Sequence, residues 1–426
     1  MSIASDYSRR VRLLNKLFLG YSGPPFAIRF PLWTWHSAAS RQPVFSLVLR
    51  RMDALDGLLQ PSEATLGEAF ISGDLDVEGD IFSTFDAVEW LLSRHSALGS
   101  RIAAEFYSRC FGFLNLLTGG RKHSRRRDAA SISHHYDLPV EFFETWLGPT
   151  LLYSAGYFRN AANGLDTAQT DKLDLICRKL DLHPGERFMD IGCGWGGLAI
   201  YAASRYGAQT RGITISKAQA RAAARRIAET HLDDLCFVEY RDYRDAPGLP
   251  WRFDKLASIG MFEHVGIKKL PEYFRIALDL LEAGGAFLIS GIVRSASSPS
   301  RKESFIDQYV FPDGELPTLS EELHAAEEAG FEVRDVESLR EHYAQTLRLW
   351  VRNLQQHAAE LRQVVSERTL RIWLLYMAGS AAAFERGDIS VCQILLQKPR
   401  HGHTMEPHTR ENWYADQRAA GIHLAA

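Results

Sequence analysis

The feature that most constrains this chain is a glycine-rich turn that reads Asp190-Ile191-Gly192-Cys193-Gly194-Trp195-Gly196-Gly197. A short apolar segment, 187–191, leads into it, and a segment with helical apolar spacing, 198–206, follows it. Glycines let a backbone turn sharply and approach a ligand closely. The pattern therefore predicts a strand, a ligand-binding turn and a helix, which together open a nucleotide-binding α/β unit.

Helical and strand patterns alternate on both sides of this turn. They predict helices over 168–180, 198–206, 217–230 and 273–281, and strands over 187–191, 210–215, 235–240, 253–259 and 286–293. Repeated β-α-β units of this length indicate an α/β fold with a doubly wound, mostly parallel sheet. In such a sheet the ligand binds at the carboxyl ends of the strands.

The spacing of the glycines discriminates between ligands. A dinucleotide-binding turn prefers G-x-G-x-x-G with an acidic residue about 20 residues later. Here the glycines are spaced G-x-G-x-G, and the next strand ends in residues 212–216 without a carboxylate, so an NAD-dependent oxidoreductase is a weak interpretation. The pattern suits S-adenosyl-L-methionine, whose amino-acid part lies against the turn without a pyrophosphate. Tight strand–helix packing alone stays an alternative for the glycines.

Composition excludes several classes of protein. The chain has 426 residues with a formal net charge of -3, which argues against a nucleic-acid-binding protein. Its length allows two or three domains, at about 150 residues per domain. The five cysteines form no CxxC pair, so we expect neither a disulfide framework nor a cysteine zinc site, and no metal. They are Cys110, Cys177, Cys193, Cys236 and Cys392.

The two ends of the chain differ from this central pattern. In the N-terminal part we predict a strand over 43–49 and helices over 61–72 and 82–93, and beyond Tyr343 a mainly helical segment that serves as core or as a lid. A basic run at 121–127 marks a domain boundary. It is either a solvated linker or a site that attracts anionic lipid headgroups. The predicted domains are 1–120, a linker 121–130, a catalytic domain 131–400 and a tail 401–426.

No apolar run approaches the roughly 20 residues that span a bilayer, and the N-terminus lacks the apolar run of a signal peptide. With unpaired cysteines, this favours a cytoplasmic protein.

From residue 130 to 398 the chain resembles the cyclopropane fatty acid synthase family of S-adenosylmethionine-dependent methyltransferases, which includes the mycolic acid cyclopropane synthases. The resemblance rests on many short motifs in order. They lie at 135–137, 153–154, 168–173, 184–185, 190–197, 212–219, 242–245, 260–266, 309–314 and around Tyr343. Residues 72–80 also resemble the N-terminal extension of the longer members.

The resemblance implies a class I methyltransferase-type fold with a helical lid and a smaller N-terminal α+β domain that binds lipid and forms a homodimer. It also implies the contacts of the cofactor. Tyr153 and Ser154 contact the methionine end, and Thr214 and Gln219 face the ribose. Tyr243 covers the adenine, with Asp242 and Arg244 beside it. The strand and turn that wrap the cofactor contain Asp190, Gly192, Gly194 and Gly196.

The reaction implied is methyl transfer to the cis double bond of unsaturated acyl chains in phospholipids, which leaves a carbocation that closes to a cyclopropane ring. Such a substrate places the protein on the inner face of the membrane as a peripheral protein. In the family, residues matching Glu263 and Tyr343 hold a bicarbonate that acts as the base. We expect His264 to lie behind the site, and His135 and Tyr136 to line its wall.

Two positions depart from the family pattern. Ala155 and Ser290 stand where the family has a cysteine and a histidine that contact bicarbonate, whereas Glu263, Tyr343 and Ile292 are retained. Bicarbonate is therefore doubtful here, and Glu263 itself is a candidate base. A C-methyltransferase with a methyl-branched or methylene product is the alternative function. An inactive homologue that binds lipid or cofactor is a weaker alternative, because the glycine turn and Glu263 are intact.

Overall fold

The structure is a computed structural model that describes residues 3–38, 40–51, 58, 61–95, 125, 138–297, 309–310, 314–400 and 409–414. The strands are β1 Phe26–Arg29, β2 Thr34–His36, β3 Phe45–Leu49, β4 Leu75–Gly79, β5 Arg187–Ile191, β6 Gln209–Thr214, β7 Cys236–Tyr240, β8 Phe253–Ile259, β9 Leu281–Arg294, β10 Glu332–Ser338 and β11 Ile389–Gln397.

The helices are α1 Ile3–Leu17, α2 Glu63–Ser72, α3 Thr84–His95, α4 Val140–Leu147, α5 Leu165–Lys179, α6 Gly197–Tyr206, α7 Lys217–Glu229, α8 Leu270–Leu280, α9 Leu319–Ala329, α10 Arg340–Gln356, α11 Ala358–Leu361, α12 Glu367–Arg386 and α13 Glu411–Tyr414. Short 3₁₀ segments cover Tyr243–Gly248, Phe262–His264 and Ile267–Lys269. Within the described ranges, no helix is both long and apolar enough to cross a membrane.

The described residues fall into two compact units. The first takes its residues from Met1–Lys122, Arg301–Pro312 and Ala358–Ala382, and the second from the rest of the chain. The first unit is therefore not one continuous segment. The predicted linker at 121–130 stays a prediction, because the structure describes only Arg125 of it.

The first unit is built on a four-stranded sheet in the order β2-β1-β3-β4. β1 and β3 are parallel, and the other neighbours are antiparallel. Phe26 and Phe45 stack at 5.0 Å between ring centroids in its core. Arg371 on α12 donates to the Phe70 carbonyl oxygen at 2.6 Å, so the first part of α12 is bonded to α2 within this unit.

The second unit is a seven-stranded sheet in the order β10-β11-β9-β8-β5-β6-β7. From β7 to β9 all neighbouring strands are parallel, whereas β11 runs antiparallel to both β9 and β10. This confirms the predicted fold class, a doubly wound and mostly parallel α/β sheet. The parallel order brings the carboxyl ends of β5, β6 and β8 together at one edge.

The segment beyond Tyr343 is mainly helical as predicted, with one exception: β11 is a nine-residue strand that lies between β10 and β9 in the sheet. It pairs with β9 from Ile389 opposite Arg294 to Gln397 opposite Ala286. Seven consecutive residues of β11 are buried, so its side chains show no alternation between apolar and polar. A continuous apolar run of this kind cannot be distinguished from buried helix by periodicity.

Substitution of Gly291 on β9 tests how tightly this part of the sheet is packed. A Cβ at Gly291 would lie 2.1 Å from the buried Phe262 ring, whereas a Cβ at Gly248 would meet no atom within 4 Å. Gly291→Ala should lower the free energy of unfolding by about 1–3 kcal/mol, because overpacking moves Phe262. Gly248→Ala is the matched control and should stay within about 0.5 kcal/mol in urea unfolding. Equal midpoints for the two variants would contradict this packing.

Candidate active site

A cleft of about 1100 Å³, partly open to solvent, lies at the edge where β5, β6 and β8 end. Ten of the predicted cofactor residues line it: Tyr153, Ser154, Asp190, Gly192, Gly194, Thr214, Gln219, Asp242, Tyr243 and Arg244. Gly196 is not among the lining residues. The structure thus brings together residues from four separate segments of the sequence.

The glycines of the turn serve different purposes. Gly192 has a φ of +81°, and a Cβ there would lie 2.7 Å from Met261, so a side chain is excluded. Gly194 has a φ of +55° and lines the cleft with open space at its Cβ position. Gly196 caps the start of α6 and packs against Ala223, so it shapes the turn from behind the cleft.

Thr214 and Gln219 form one buried hydrogen-bonded unit at the end of β6. The Thr214 hydroxyl donates to Gln219 Oε1 at 2.8 Å and accepts from the Ser216 amide at 3.2 Å. Ser216 in turn caps α7 by accepting from the backbone N–H of Gln219. The side-chain nitrogen of Gln219, Nε2, is the neutral donor that this unit offers at the cleft wall.

Asp242 and Arg244 bond to each other beside the Tyr243 ring. Asp242 accepts from the Arg244 backbone amide at 2.9 Å and from Arg244 Nε at 2.8 Å. Burial raises the pKa of Asp242, but the hydrogen bonds from Arg244 outweigh it and hold this pKa below its ordinary value. The Arg244 guanidinium lies 5.3 Å from the Tyr243 ring centroid, so the pair orients this aromatic face.

Tyr153 and Ser154 reach the cleft from the segment before α5. The Tyr153 ring packs 5.4 Å from Trp350, and the Ser154 carbonyl oxygen accepts from Gln169 at 2.9 Å. Tyr343 lies outside the cleft lining and packs 6.0 Å from Trp350. Trp350 therefore connects the predicted catalytic Tyr343 to Tyr153.

Lys172 is a cleft residue to which sequence reasoning gave no role. It is almost fully buried on α5, and its Nζ donates to the Ser154 hydroxyl at 2.9 Å. Burial lowers the pKa of Lys172 and raises that of Asp190, and the attraction between the two charges opposes both shifts. Its helical spacing from Ala168 places Lys172 on the buried face of α5, but nothing in the sequence places it beside Ser154 and Asp190.

Glu263 follows the end of β8 in a 3₁₀ turn whose neighbours Met261 and His264 line the cleft. Its Oε1 accepts from the Ile292 amide at 2.8 Å. Its Oε2 is buried and has no hydrogen-bond partner among the described residues. Burial raises the pKa of Glu263 to about 7, and the hydrogen bond from Ile292 moderates that rise.

The two replaced positions, Ala155 and Ser290, are both buried. Ser290 on β9 pairs with Ile259 on β8, and its carbonyl oxygen accepts from the Gly260 amide at 2.7 Å. Neither side chain supplies a thiol or an imidazole, and the Ile292 amide is taken by Glu263. Two contacts that the resemblance implies for bicarbonate are therefore absent, and a third, the Ile292 amide, is engaged by Glu263. His135 and Tyr136 lie outside the described residues.

Glu322 on α9 is a second buried carboxyl that sequence reasoning missed. Neither of its oxygens has a hydrogen-bond partner within the described part of the chain. Burial raises the pKa of Glu322 well above its ordinary value, and the negative charge of Glu263 adds to the rise.

No group of three His, Cys, Asp or Glu residues suited to a metal ion occurs among the residues described.

Comparisons with known proteins agree with this architecture. Residues 123–394 match the family described as "Mycolic acid cyclopropane synthetase". A "Probable fatty acid methyltransferase" of Pseudomonas putida is 41% identical over 393 residues, 91% of this chain and 96% of that protein. The "Cyclopropane-fatty-acyl-phospholipid synthase" of Escherichia coli K12 is 36% identical over 275 residues, 65% of this chain and 69% of that one.

Among solved structures, the mycolic acid cyclopropane synthase CmaA1, "complexed with SAH and CTAB", superposes with a TM-score of 0.60 at 33% identity. The match covers 63% of this chain and 98% of CmaA1.

The fold and the site define a class I methyltransferase. The chain belongs to the mycolic acid cyclopropane synthetase family, and it is an S-adenosylmethionine-dependent methyltransferase. The predictions of the family and of S-adenosyl-L-methionine as cofactor are confirmed.

Glu322 gives a prediction for stability. A carboxyl with a raised pKa in the folded protein stabilises it fully below the unfolded value of 4.5, and this contribution is lost as pH rises through the folded pKa. Glu322→Gln removes this dependence. The variant should gain stability over the wild type as pH rises above 4.5, by at most about 1.4 kcal/mol per pH unit.

Urea unfolding between pH 5 and pH 8 measures this gain. Glu321→Gln is the matched control, because Glu321 is the adjacent carboxyl, is more exposed and has a lowered pKa from its hydrogen bonds with Thr318. It should show no gain at high pH. A Glu322→Gln variant whose advantage is constant with pH would contradict the buried, protonated carboxyl.

Proposed function

We propose that this enzyme transfers a methyl group from S-adenosyl-L-methionine to the cis double bond of an unsaturated fatty acyl chain in a phospholipid, and that the product is a cyclopropane. The observation that carries the proposal is Glu263, a buried carboxyl beside the cofactor cleft with one oxygen unpartnered among the described residues. A group of that kind can take up the proton that ring closure releases.

The cleft residues would hold the cofactor as follows. Tyr153, Ser154 and Asp190 receive its methionine end, and Gly192 and Gly194 let the backbone approach it. Thr214 and Gln219 face the ribose, and Tyr243 covers the adenine, oriented by Asp242 and Arg244. The bound cofactor supplies a methyl group made electrophilic by a sulfonium. Aromatic faces such as that of Tyr153 stabilise a positive charge nearby.

An alkene is a poor nucleophile, so this reaction depends on position and on exclusion of water. Ile259, Met261 and Val265 give the cleft an apolar wall next to Glu263. An acyl chain held against that wall would present its double bond in a medium from which water is excluded. Tyr343 packs against Trp350, which packs against Tyr153, and the catalytic role of Tyr343 stays a prediction.

In the proposed reaction Glu263 is the base, and no second base is needed. The double bond attacks the methyl carbon, the carbon–sulfur bond breaks, and a carbocation remains on the acyl chain. Glu263 Oε2 takes a proton from the transferred methyl group, and the electrons of that carbon–hydrogen bond close the ring. The Ile292 amide stabilises the Glu263 carboxylate before the transfer.

The second candidate is a different fate of the carbocation: loss of a proton from the acyl chain gives a methyl-branched alkene, and a hydride shift followed by loss of a methyl proton gives a methylene product. Ala155 and Ser290 leave Glu263 without the thiol and imidazole that resemblance to the family led us to expect. The relative from Pseudomonas putida is named a methyltransferase and not a cyclopropane synthase. A C-methyltransferase with a methyl-branched or methylene product is therefore the alternative. An inactive lipid- or cofactor-binding homologue is the weakest candidate, since the turn and Glu263 are intact.

A substrate inside a phospholipid requires contact with a membrane surface. We therefore propose a peripheral protein at the inner face of the cytoplasmic membrane. The basic run at 121–127 is a candidate for attraction to anionic lipid headgroups, at about 1 kcal/mol per basic residue near the surface. A homodimer formed through the N-terminal unit stays a prediction by resemblance.

Deuterium labelling separates the two products. The enzyme is supplied with S-adenosylmethionine carrying a fully deuterated methyl group and with vesicles of a cis-unsaturated phospholipid. Mass spectrometry of the released acyl chains should show that two of three deuterons are retained, with cyclopropane protons in the NMR spectrum of an unlabelled sample. Retention of all three deuterons would establish the methyl-branched alternative, and two deuterons with olefinic instead of cyclopropane signals would establish the methylene product. No methyl gain, with the cofactor bound, would indicate a different alkene substrate or the binding homologue.

Glu263 gives a pH prediction. Only the ionised carboxylate accepts a proton, so the rate should fall about tenfold per pH unit below a pKa of about 7 and reach a plateau above it. Glu263→Gln should lower kcat at least about 100-fold, as expected for loss of a general base.

Glu272→Gln is the control, because Glu272 is an exposed carboxyl paired with Lys269. It should retain wild-type kcat. A Glu263→Gln variant that keeps both wild-type turnover and the wild-type pH profile would exclude Glu263 as the base.

A further inference from the structure

Lys172 combines two properties that seldom occur together, a charged amine and nearly complete burial. It is 2% exposed, yet it lines the cleft beside Ser154 and Asp190. Burying an ammonium group is costly unless it is paired and hydrogen-bonded. A negatively charged or hydrogen-bonding group must therefore balance the charge of Lys172.

Lys179 lies seven residues later on the same helix and shows the usual solution. Its Nζ forms ion pairs with Asp335 and Glu337, and it does not line the cleft. Lys172, by contrast, has the neutral Ser154 hydroxyl as its hydrogen-bond partner within the described residues. An ammonium group has three donors, so Lys172 has capacity for another acceptor.

Asp190 is the nearby negative charge, and it too is buried at the cleft wall. The two groups attract each other, but within the described part of the chain they form no direct ion pair. The cleft therefore presents one amine and one carboxyl group that are not in direct contact. This arrangement complements a zwitterion, whose carboxylate and ammonium groups lie a few bonds apart.

We propose that Lys172 binds the carboxylate of the cofactor's methionine end, with Asp190 facing its ammonium group. This inference rests on the proposed placement of that end beside Tyr153 and Ser154. It makes Lys172 a cofactor-binding residue that recognises the amino-acid part and leaves the adenosine part to Thr214, Gln219 and Tyr243. Ser154 holds the amine in position through its hydroxyl.

Three ligands test the inference by equilibrium binding, which needs no turnover. S-adenosylhomocysteine carries both charged groups, its decarboxylated analogue carries only the amine, and 5′-methylthioadenosine carries neither. Lys172→Met should weaken S-adenosylhomocysteine binding about 10- to 100-fold, as expected for loss of a hydrogen bond between charged groups. It should change the affinity of the decarboxylated analogue and of methylthioadenosine by less than about threefold.

Lys179→Met is the matched control, since it removes a buried lysine from the same helix without touching the cleft. It should leave the affinity ratio of the three ligands unchanged. Lys172→Gln keeps a donor for the Ser154 hydroxyl, and the same ratios apply to it if Lys172→Met does not fold. Isothermal titration calorimetry gives the affinities, and thermal unfolding confirms that each variant is folded.

The outcomes separate this inference from the proposed function. Equal weakening of all three ligands by Lys172→Met would overturn the inference and make Lys172 a structural residue. Wild-type protein that binds methylthioadenosine and S-adenosylhomocysteine equally would also overturn it, while the cofactor site itself would stand. Wild-type protein that binds none of the three ligands would overturn the proposed cofactor site together with the inference.

Discussion

The tight passage of the chain from β5 into α6 is the constraint on which the rest of the site depends. Gly192 and Cys193 both donate their amides to the Ile213 carbonyl oxygen, at 2.9 and 3.0 Å, which joins this turn to the end of β6. The close approach of Met261 to Gly192 joins it to the end of β8. One turn thus aligns three strand ends, and the cleft forms where they meet. A side chain at Gly192 would separate them.

Burial acts in the same way on two carboxyls of this edge, but their surroundings give them different roles. Burial raises the pKa of Asp190 to about 7 and lowers that of Lys172 to about 7, and a zwitterionic ligand would favour the charged form of each group. For Glu263, backbone hydrogen bonds, chiefly the one from the Ile292 amide, oppose burial, and its pKa is raised to about 7. Both carboxyls have a pKa near neutrality, so their neighbours distinguish them: Asp190 has Lys172 nearby, whereas Glu263 Oε2 has no hydrogen-bond partner among the described residues. In this account the cofactor binds beside Asp190, and the proton is transferred to Glu263 at the same edge of the sheet.

The sequence predicted the elements around the turn well, because apolar runs bounded by glycines and turns determine short buried strands. The predicted bounds of β5 and β8 agree with the structure. β11 was missed because its buried run has no periodicity. Lys172 and Glu322 were missed because a single charge on an apolar helix face shows its role only when the opposing groups are known. Residues 358–382 belong to the first unit through contacts with segments that are distant in sequence, and a local sequence pattern does not reveal such contacts.

Methyl transfer from labelled cofactor into phospholipid acyl chains tests the central claim most directly. Protein, S-adenosylmethionine with a tritiated methyl group and vesicles of matched headgroup are combined, one set with cis-unsaturated and one with fully saturated chains. Tritium in the fatty acids released from the unsaturated set alone is the result that the account predicts. Tritium in the headgroup fraction, or equal labelling of both sets, would contradict methyl transfer to the double bond.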